Sequence, residues 1–244
     1  MKEVKVSVVS YLNSQPFVFG LKHFPPEGML LSSDIPSECA RKLLSGEAEI
    51  GLVPVAILKQ LPEYHIISNY CIGADGPVDS VKLYSRVPLE EIETIVLDYQ
   101  SRTSVALTKV LAAELWKINP NWVAAEEGFE KNISGTTAAV VIGDRTFSMN
   151  GKFETEKDLS EEWKQLTGLP FVFAVWATRK KNDAAFETAF NNSLSAGLRS
   201  MKTVIEEQQL AYPHTDVRKY LTASISYDFN AQKRAAMELF LSKL

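Results

Sequence analysis

The sequence predicts an α/β protein of two lobes joined by a hinge, and three observations carry this prediction. Strand-like and helix-like segments alternate at the start of the chain, and the alternation begins again after Pro88. Strands separated by helices are typical of parallel βαβ units. Two long strand-like runs, Val78–Ser85 and Leu169–Thr178, join the two sets in place of a flexible linker. We therefore expect two α/β units that can move relative to each other.

The first set is defined by short apolar runs and by one segment with apolar residues at helical spacing. Gly46 is well placed to end that helix, and Pro54 closes a buried strand. The predicted strands are Val4–Val9, Met29–Ser33, Glu49–Val53 and Tyr64–Ser68, and the predicted helices are Ile35–Leu44 and Val55–Leu61.

The second set repeats this order of strand, helix and strand. The segment Ser104–Trp116 places its apolar residues on one helix face, and AAVVI is a strong buried strand. The predicted strands are Thr94–Leu97, Asn121–Ala125 and Ala138–Ile142. Only helical patterns follow the second long strand, over Ala184–Met201, Val217–Leu221 and Ala231–Leu244.

The two long strands set the expected division of the chain. We expect residues 1–86 and 176–244 to form one discontinuous lobe and residues 87–175 to form the other. The chain would cross between the lobes near Leu83–Pro88 and near Phe173–Ala177. Strands that cross in this way can act as hinges, so we expect the lobes to close around a ligand.

Composition excludes several classes of function. The 244 residues carry a net charge of -4 with a pI near 5.5, which argues against a nucleic-acid surface. The chain has no run of about 18 uninterrupted apolar residues, so no membrane span is expected. The opening residues MKEVKVSVVSYLNSQP lack the apolar core of a secretory signal. With only Cys39 and Cys71, both expected to be buried thiols, a cytoplasmic protein is predicted.

Polar residues gather where three predicted strands end, at Ser10–Asn13, Asp98–Ser104 and Gly143–Asp144. In open parallel sheets the carboxyl ends of the strands form the ligand crevice. Helix N-termini at that edge offer unpaired N–H groups and a positive dipole end to anions. The alternative is structural, because these residue types are also the preferred helix N-caps and turn formers. Ser80, inside a strand pattern, could equally be an ordinary outward-facing serine.

The usual catalytic constellations are absent from the sequence. His23, His65 and His214 have no neighbours at metal-ligand spacing, so neither a metal site nor a catalytic triad is predicted. The sequence has no dinucleotide fingerprint, phosphate-binding loop or nucleophile elbow. The acidic pair Glu161-Glu162 is expected on a solvated helix face, and Trp163 and Trp176 are expected in the core.

Six motifs in order carry a resemblance to a known family: SYLN followed by Pro16, GEAEIGLVPV, VDSVKLYS, LDYQSRTSV, AAVVIGD and DLSEEWKQLTGLPFVFAVW. Together they resemble the chorismate dehydratase family of the futalosine route to menaquinone, from about Ser7 to Trp176. The resemblance implies the two-lobe fold of class II periplasmic solute-binding proteins. It also implies a cytoplasmic enzyme that removes water from chorismate to give 3-[(1-carboxyvinyl)oxy]benzoate, without a cofactor or metal.

The resemblance also assigns candidate site residues. Asn13 of SYLN and Ser80 of VDS match the family's active-site positions, with Ser10 and Tyr11 as further substrate contacts from the same first loop. The turn SRTS, with Ser101, Thr103 and Ser104, matches its carboxylate-binding turn, and Asp144 matches the IGD aspartate. The sequence departs from the family at Lys157 and Ser160, where a Tyr-Asp-Leu-Gly run is more usual.

The identity of the catalytic base stays open at this point. An asparagine amide is essentially non-basic, so Asn13 is expected to orient the departing hydroxyl or the enolpyruvyl group. The enolpyruvyl carboxylate of the substrate would accept the ring proton, with Ser80 helping to position it. Asp144 is the competing base on the protein, although helix capping also explains an aspartate there.

Three other functions compete with dehydration of chorismate as interpretations of this sequence. A carboxylate-binding protein without chemistry would share the fold, but transport receptors carry a secretory signal. The effector lobe of a regulator would need a DNA-binding segment and a basic surface. The sister enzyme of the same pathway, dihydroxynaphthoate synthase, resembles this chain less well because it lacks SYLN in its first loop.

Overall fold

The computed structural model describes residues 3–181 and 183–244, which form a mixed α/β structure with two sheets. The strands are β1 (Val4–Val9), β2 (Met29–Asp34), β3 (Ile50–Pro54), β4 (His65–Ala74), β5 (Val81–Ser85), β6 (Thr94–Leu97), β7 (Asn121–Ala124), β8 (Thr137–Ile142), β9 (Thr155–Asp158), β10 (Phe171–Thr178) and β11 (Ser226–Asp228). The helices are α1 (Gln15–His23), α2 (Pro36–Ser45), α3 (Arg102–Leu111), α4 (Leu159–Thr167), α5 (Ala184–Arg199), α6 (Met201–Ala211), α7 (Val217–Lys219) and α8 (Ala231–Ser242).

Each sheet contains the parallel core that the alternation predicts. The first sheet has the order β11-β4-β10-β3-β1-β2, in which β1 is parallel to β2 and β3. The second has the order β7-β6-β8-β5-β9, in which β6 is parallel to β7 and β8. Antiparallel strands complete both sheets, since β10 pairs with β3 and β4 while β5 pairs with β8 and β9. The carboxyl ends of the parallel strands therefore meet at one edge of each sheet.

The chain passes between the two sheets at other points than the sequence predicts. β5 lies wholly in the second sheet and β10 wholly in the first, so neither strand crosses at Leu83–Pro88 or Phe173–Ala177. The predicted strand over Val78–Ser85 begins only at Val81, because Asp79 has a positive φ of 64° that breaks the extended run. The chain instead passes between the sheets at residues 75–80 and 159–170. The division into two lobes stays a prediction, and sheet membership favours boundaries at these two segments.

Asp158 fixes the first of these passages. Its carboxylate accepts hydrogen bonds from the backbone N–H of Val78 at 3.0 Å and of Asp79 at 2.7 Å. The same side chain caps α4 through the N–H of Ser160 and Glu161. One buried carboxylate thus joins the two inter-sheet segments, because its oxygens bind N–H groups of residues 78–79 and of the first turn of α4.

Three features of the second half of the chain differ from the expectations. β9 and β11 were not predicted, because both are short strands with polar residues that pair along only one edge. The helix predicted over Ala184–Met201 is confirmed as α5, which ends at Arg199, whereas α6 was not predicted. Glu161 is exposed as expected, but Glu162 is buried and accepts a hydrogen bond from Trp116 Nε1 at 2.6 Å.

Both tryptophans predicted in the core are fully buried, and so are the free thiols of Cys39 and Cys71. Two glycines let α1 and α5 cross at very short range. A Cβ on Gly20 would lie 2.0 Å from the Ser193 carbonyl oxygen, and one on Gly197 would lie 1.9 Å from that of Pro16. Within the described residues, no helix combines the length and hydrophobicity needed to cross a bilayer.

Candidate active site

A cleft opens where the strand ends of the two sheets face each other, and it is narrow, with a cavity volume of about 50 Å³. None of its lining side chains is charged. The lining residues are Val9, Tyr11, Asn13, Pro36, Pro54, Ile72, Val78, Ser80, Val81, Ser101, Ser104, Ile142, Gly143, Phe173 and Ala174.

Asn13 enters the cleft from a single 3₁₀ turn, Leu12–Ser14, that directly follows the loop after β1. The Asn13 side-chain oxygen accepts a hydrogen bond from Ser14 Oγ at 3.0 Å. Its backbone oxygen accepts another from the Tyr227 hydroxyl at 3.0 Å. Because its own oxygen is engaged, the amide NH₂ of Asn13 is the group left to act as a donor.

Ser80 also lines the cleft, from the end of the first inter-sheet passage. The residue is 1% exposed, and its Oγ accepts a hydrogen bond from the Tyr220 hydroxyl at 2.8 Å. The Ser80 backbone oxygen accepts a hydrogen bond from the N–H of Gly143 at 2.8 Å. This contact joins Ser80 to the predicted polar cluster Gly143–Asp144 at the cleft.

Ser101 and Ser104 bring the N-terminus of α3 to the cleft. Ser101 is the N-cap, and its Oγ accepts hydrogen bonds from Ser104 N at 3.2 Å and from Ser104 Oγ at 3.1 Å. The first turn of a helix presents N–H groups without helical partners and the positive end of the helix dipole. This wall of the cleft is therefore suited to an anion such as a carboxylate.

Tyr11 forms the side wall of the cleft next to the second sheet. Its hydroxyl donates a hydrogen bond to Gln100 Oε1, and burial raises the pKa of this phenol above its ordinary value. The ring packs so closely on Gly143 that a Cβ there would lie 2.8 Å from it. Gly143 also has a φ of 70°, so both its conformation and its surroundings favour glycine.

Three of the predicted site residues do not line the cleft. Thr103 is fully buried, and its Oγ1 accepts a hydrogen bond from the N–H of Ala56 at 3.1 Å. Asp144 accepts hydrogen bonds from Leu12 N at 3.2 Å and from the Tyr212 hydroxyl at 2.6 Å. Ser10 is exposed to solvent. The structure therefore brings together Asn13, Tyr11, Ser80, Ser101 and Ser104, and places the other three elsewhere.

The charges closest to this strand-end edge are paired behind the cleft wall. Asp98 is 1% exposed and forms an ion pair with Arg145, which also binds Glu130. Burial raises the pKa of the Asp98 carboxyl, against the lowering effect of Arg145. Asp98 also accepts hydrogen bonds from the N–H groups of Gln100 and Ile142, both at 3.0 Å. These contacts hold the two loops in place without directing a charge into the cleft.

Two residues of the site were missed by sequence reasoning. Phe173 lines the cleft from β10, and Tyr220 binds Ser80 from the helical tail, 140 residues further along the chain. A tyrosine after a short helix carries no motif, so nothing in the sequence marked Tyr220. Among the residues that the structure describes, no three or more His, Cys, Asp or Glu side chains come together as a metal site would need.

Comparisons with known proteins agree with this architecture. A family model described as menaquinone biosynthesis matches residues 4–244. A chorismate dehydratase from Thermus thermophilus is 29% identical over 266 residues, covering 100% of this chain and 96% of that protein.

Solved structures show the fold alone, because their sequences are distant. A protein of Archaeoglobus fulgidus is similar with a TM-score of 0.77 at 13% identity, covering 99% of this chain and 96% of the other. A Candida albicans protein described as having the generic periplasmic binding protein fold gives 0.64 at 12%, covering 99% and 90%. The aliphatic sulphonate binding protein of Escherichia coli gives 0.63 at 12%, covering 99% and 91%. The predicted periplasmic-binding-protein-like fold is confirmed, and the chain belongs to the menaquinone biosynthesis family.

Proposed function

We propose that this protein is a chorismate dehydratase, which removes water from chorismate to give 3-[(1-carboxyvinyl)oxy]benzoate in the cytoplasm, on the futalosine route to menaquinone. The observation that carries the proposal is the uncharged, donor-lined cleft at the facing strand ends, in a chain of this family. The Thermus relative supports the choice of substrate over a cleft that only binds ligands.

The cleft is suited to hold a substrate with two carboxylates. Ser101 and Ser104 lie at the N-terminus of α3, where hydroxyls, free N–H groups and the helix dipole all favour negative charge. We assign the ring carboxylate to this wall. Asn13 and Ser80 then lie next to the enolpyruvyl group and the departing hydroxyl, as neutral donors. The apolar wall, with Phe173 and Ile72, is suited to the carbon ring.

The reaction needs no redox step. The ring C–H bond next to the ether breaks, and its electrons form a new ring double bond as the adjacent C–O bond to the hydroxyl breaks. The ring becomes aromatic, and the leaving hydroxide takes up a proton to become water. Negative charge that develops on the ring spreads into its carboxylate. Donors already in place around that carboxylate stabilise the transition state because they need no reorganisation.

The arrangement favours the substrate's own enolpyruvyl carboxylate as the base. Asn13 and Ser80 are not basic, and the cleft lining offers no carboxylate or imidazole. Asp144 already accepts hydrogen bonds from Leu12 and Tyr212 and does not line the cleft, so it is poorly placed to remove the ring proton. The proton taken up by the enolpyruvyl carboxylate can pass to the leaving hydroxide, which balances the step.

The test is direct incubation of the purified protein with chorismate in buffer without added metal or cofactor. We expect a new absorbance of a benzoate product and the loss of one water from the substrate mass. Binding of chorismate without turnover would instead indicate a carboxylate-binding protein. If neither binding nor turnover of chorismate is seen, the proposal fails and the sister enzyme dihydroxynaphthoate synthase is the remaining alternative.

A further inference from the structure

Tyr220 is a buried phenol that the reaction as described above does not use. It stands at the end of α7, where the helix continues as a π-helical turn over Tyr220–Ser224. Its side chain is almost fully buried, with its ring packed edge-on against Phe147 at 4.9 Å between centroids. π-Helical turns are rare and are frequent at functional sites, because they re-aim a side chain. Here the turn directs one hydroxyl at the cleft wall.

The hydroxyl of Tyr220 reaches the cleft through Ser80. It donates a hydrogen bond to Ser80 Oγ at 2.8 Å. The Asn13 side chain opposes the rise that burial causes in the pKa of this phenol. Ser80 lines the cleft, so a single hydrogen bond connects the Tyr220 hydroxyl to a cleft-lining residue.

The hydrogen bond from Tyr220 to Ser80 decides how Ser80 can meet a ligand. A phenol has one proton, and burial raises its pKa well above its ordinary value, so Tyr220 stays protonated at physiological pH. Its proton is committed to Ser80, which therefore acts as acceptor on that side. The proton of Ser80 must then point elsewhere, and within residues 3–181 and 183–244 no hydrogen bond donated by Ser80 Oγ is found. The open direction is the cleft that Ser80 lines.

We propose that Tyr220 is a positioning residue that fixes Ser80 as a hydrogen-bond donor to the substrate. The inference rests on the proposed function and deepens it, because it assigns Ser80 a defined polarity. A chain of hydrogen bonds in a dry site polarises each member, so Ser80 donates more strongly than an isolated serine. The substrate oxygen it meets is the departing hydroxyl or the enolpyruvyl carboxylate, both of which gain negative charge during the reaction.

Tyr84 provides a matched control within the same chain. It is also a buried tyrosine, and its hydroxyl donates to Asn150 Oδ1 at 2.7 Å. Tyr84 packs in a separate apolar cluster of the second sheet and does not line the cleft. Tyr84→Phe and Tyr220→Phe each remove one buried hydroxyl and keep the ring. Only Tyr220→Phe removes the hydrogen bond to Ser80.

The experiment measures kcat and KM for chorismate in wild type, Tyr220→Phe, Tyr84→Phe, Ser80→Ala and the double variant Ser80→Ala/Tyr220→Phe. We expect Tyr220→Phe to lose about tenfold in kcat with KM changed less than about twofold, as for one hydrogen bond used in the transition state. Tyr84→Phe should keep wild-type kcat. In the Ser80→Ala background, Tyr220→Phe should cost nothing further, because the group through which it acts is gone.

Product affinity, measured by calorimetry, and thermal unfolding separate positioning from a structural role. Both should be the same in Tyr220→Phe as in Tyr84→Phe. An equal loss of kcat in the presence and absence of Ser80, or wild-type kcat in Tyr220→Phe, overturns the inference and leaves the proposed function intact. A wild-type protein that binds chorismate without converting it overturns the proposed function and this inference together.

Discussion

The cleft wall and the contact layer beside it use the same kinds of residue in opposite ways. In the cleft, Asn13, Ser80, Ser101 and Ser104 present uncharged donors to an open space. In the contact layer, defined here by the hydrogen bonds of Asp144 and Thr103 between the two α/β sets, each polar group already has a protein partner. Both groups come from the same strand-end motifs. The cleft residues and the contact-layer residues are therefore distinguished by their hydrogen-bond partners and not by their residue types.

The comparison explains how a site without a charged lining can hold a doubly negative ligand. The ionisable groups near the cleft are paired outside it, since Asp98 pairs with Arg145 and Asp144 binds Leu12 and Tyr212. The cleft keeps helix-end N–H groups and hydroxyls, which favour anions without the desolvation cost of a buried cation. Variants in the cleft should therefore lose turnover, and variants in the contact layer should lose stability.

Asn13→Ala should give the largest effect, because it removes a donor that acts only in the reacting complex. We expect kcat to fall by about 10²–10³, the cost of removing one preorganised donor from a polar active site. Steady-state kinetics with chorismate measure this, and thermal unfolding should show a folded protein. Asn192→Ala, an exposed asparagine in α5, is the control and should keep full activity. A loss of less than threefold in Asn13→Ala would remove this residue from the mechanism.

Thr103→Val should give the next largest effect, and in stability rather than in turnover. The valine keeps the shape of the side chain but leaves the N–H of Ala56 without its acceptor at a fully buried position. We expect unfolding free energy to fall by about 1–3 kcal/mol, the penalty for an unpaired buried donor. Denaturant titration measures it, and Thr103→Ser should recover most of the loss. If Thr103→Val lowers kcat tenfold at unchanged stability, Thr103 belongs to the cleft after all.

Ser101→Ala and Ser104→Ala sharpen the comparison within one helix turn. Each removes one hydroxyl from the cleft, so KM for chorismate should rise by a similar factor in both. Only Ser101 is the N-cap of α3, so only Ser101→Ala should lose about 1 kcal/mol of stability. Paired kinetic and unfolding measurements test this. Equal stability in the two variants would show that the cap contributes nothing here.

The strand ends were the part of the site that the sequence could predict. The carboxyl ends of parallel strands form the ligand crevice, which predicts that Asn13 and Ser101 line it without any side-chain detail. Ser80 reaches the same crevice from the start of β5, which is antiparallel to β8. The sequence could not show which way each side chain points. Thr103 and Ser104 are neighbours on one helix turn, yet one faces Ala56 and the other faces the cleft.

Longer-range features of the site were beyond sequence reasoning. Tyr220 contacts Ser80 across 140 residues, and a single tyrosine has no spacing that marks it. The inter-sheet passages were misplaced because the alternation of VDSVKLYS is typical of one strand. In the structure Asp79 has a positive φ, and its N–H donates a hydrogen bond to the Asp158 carboxylate. The sequence left Asp144 open between base and cap, and it could not show that this carboxylate binds Leu12 and Tyr212 and does not line the cleft.

Asp144→Asn should give the smallest effect on catalysis, namely no change in the shape of the pH–rate profile. Burial raises the pKa of the Asp144 carboxyl above its ordinary value, although the hydrogen bonds from Tyr212 and Leu12 oppose the shift. The folded protein thus holds this proton more tightly than the unfolded chain. Stability should therefore fall as pH rises from the ordinary value of 3.8 through the folded-state pKa, and Asp144→Asn should remove that decline.

Unfolding by denaturant at several pH values, beside kcat over the same range, measures both parts of this prediction. Glu156→Gln, a carboxylate at the edge strand β9, is a control for a general change in net charge. If Asp144→Asn abolishes a limb of the pH–rate profile, the aspartate is the base and the substrate carboxylate is not.

The crystal structure of the complex with 3-[(1-carboxyvinyl)oxy]benzoate tests the central claim most directly. The account predicts the ring carboxylate on Ser101 and Ser104 at the start of α3, the enolpyruvyl group beside Asn13 and Ser80, and no cationic side chain in contact with either carboxylate. A product whose carboxylates are held by Arg145 or by lysine side chains, or which binds outside this cleft, would contradict it.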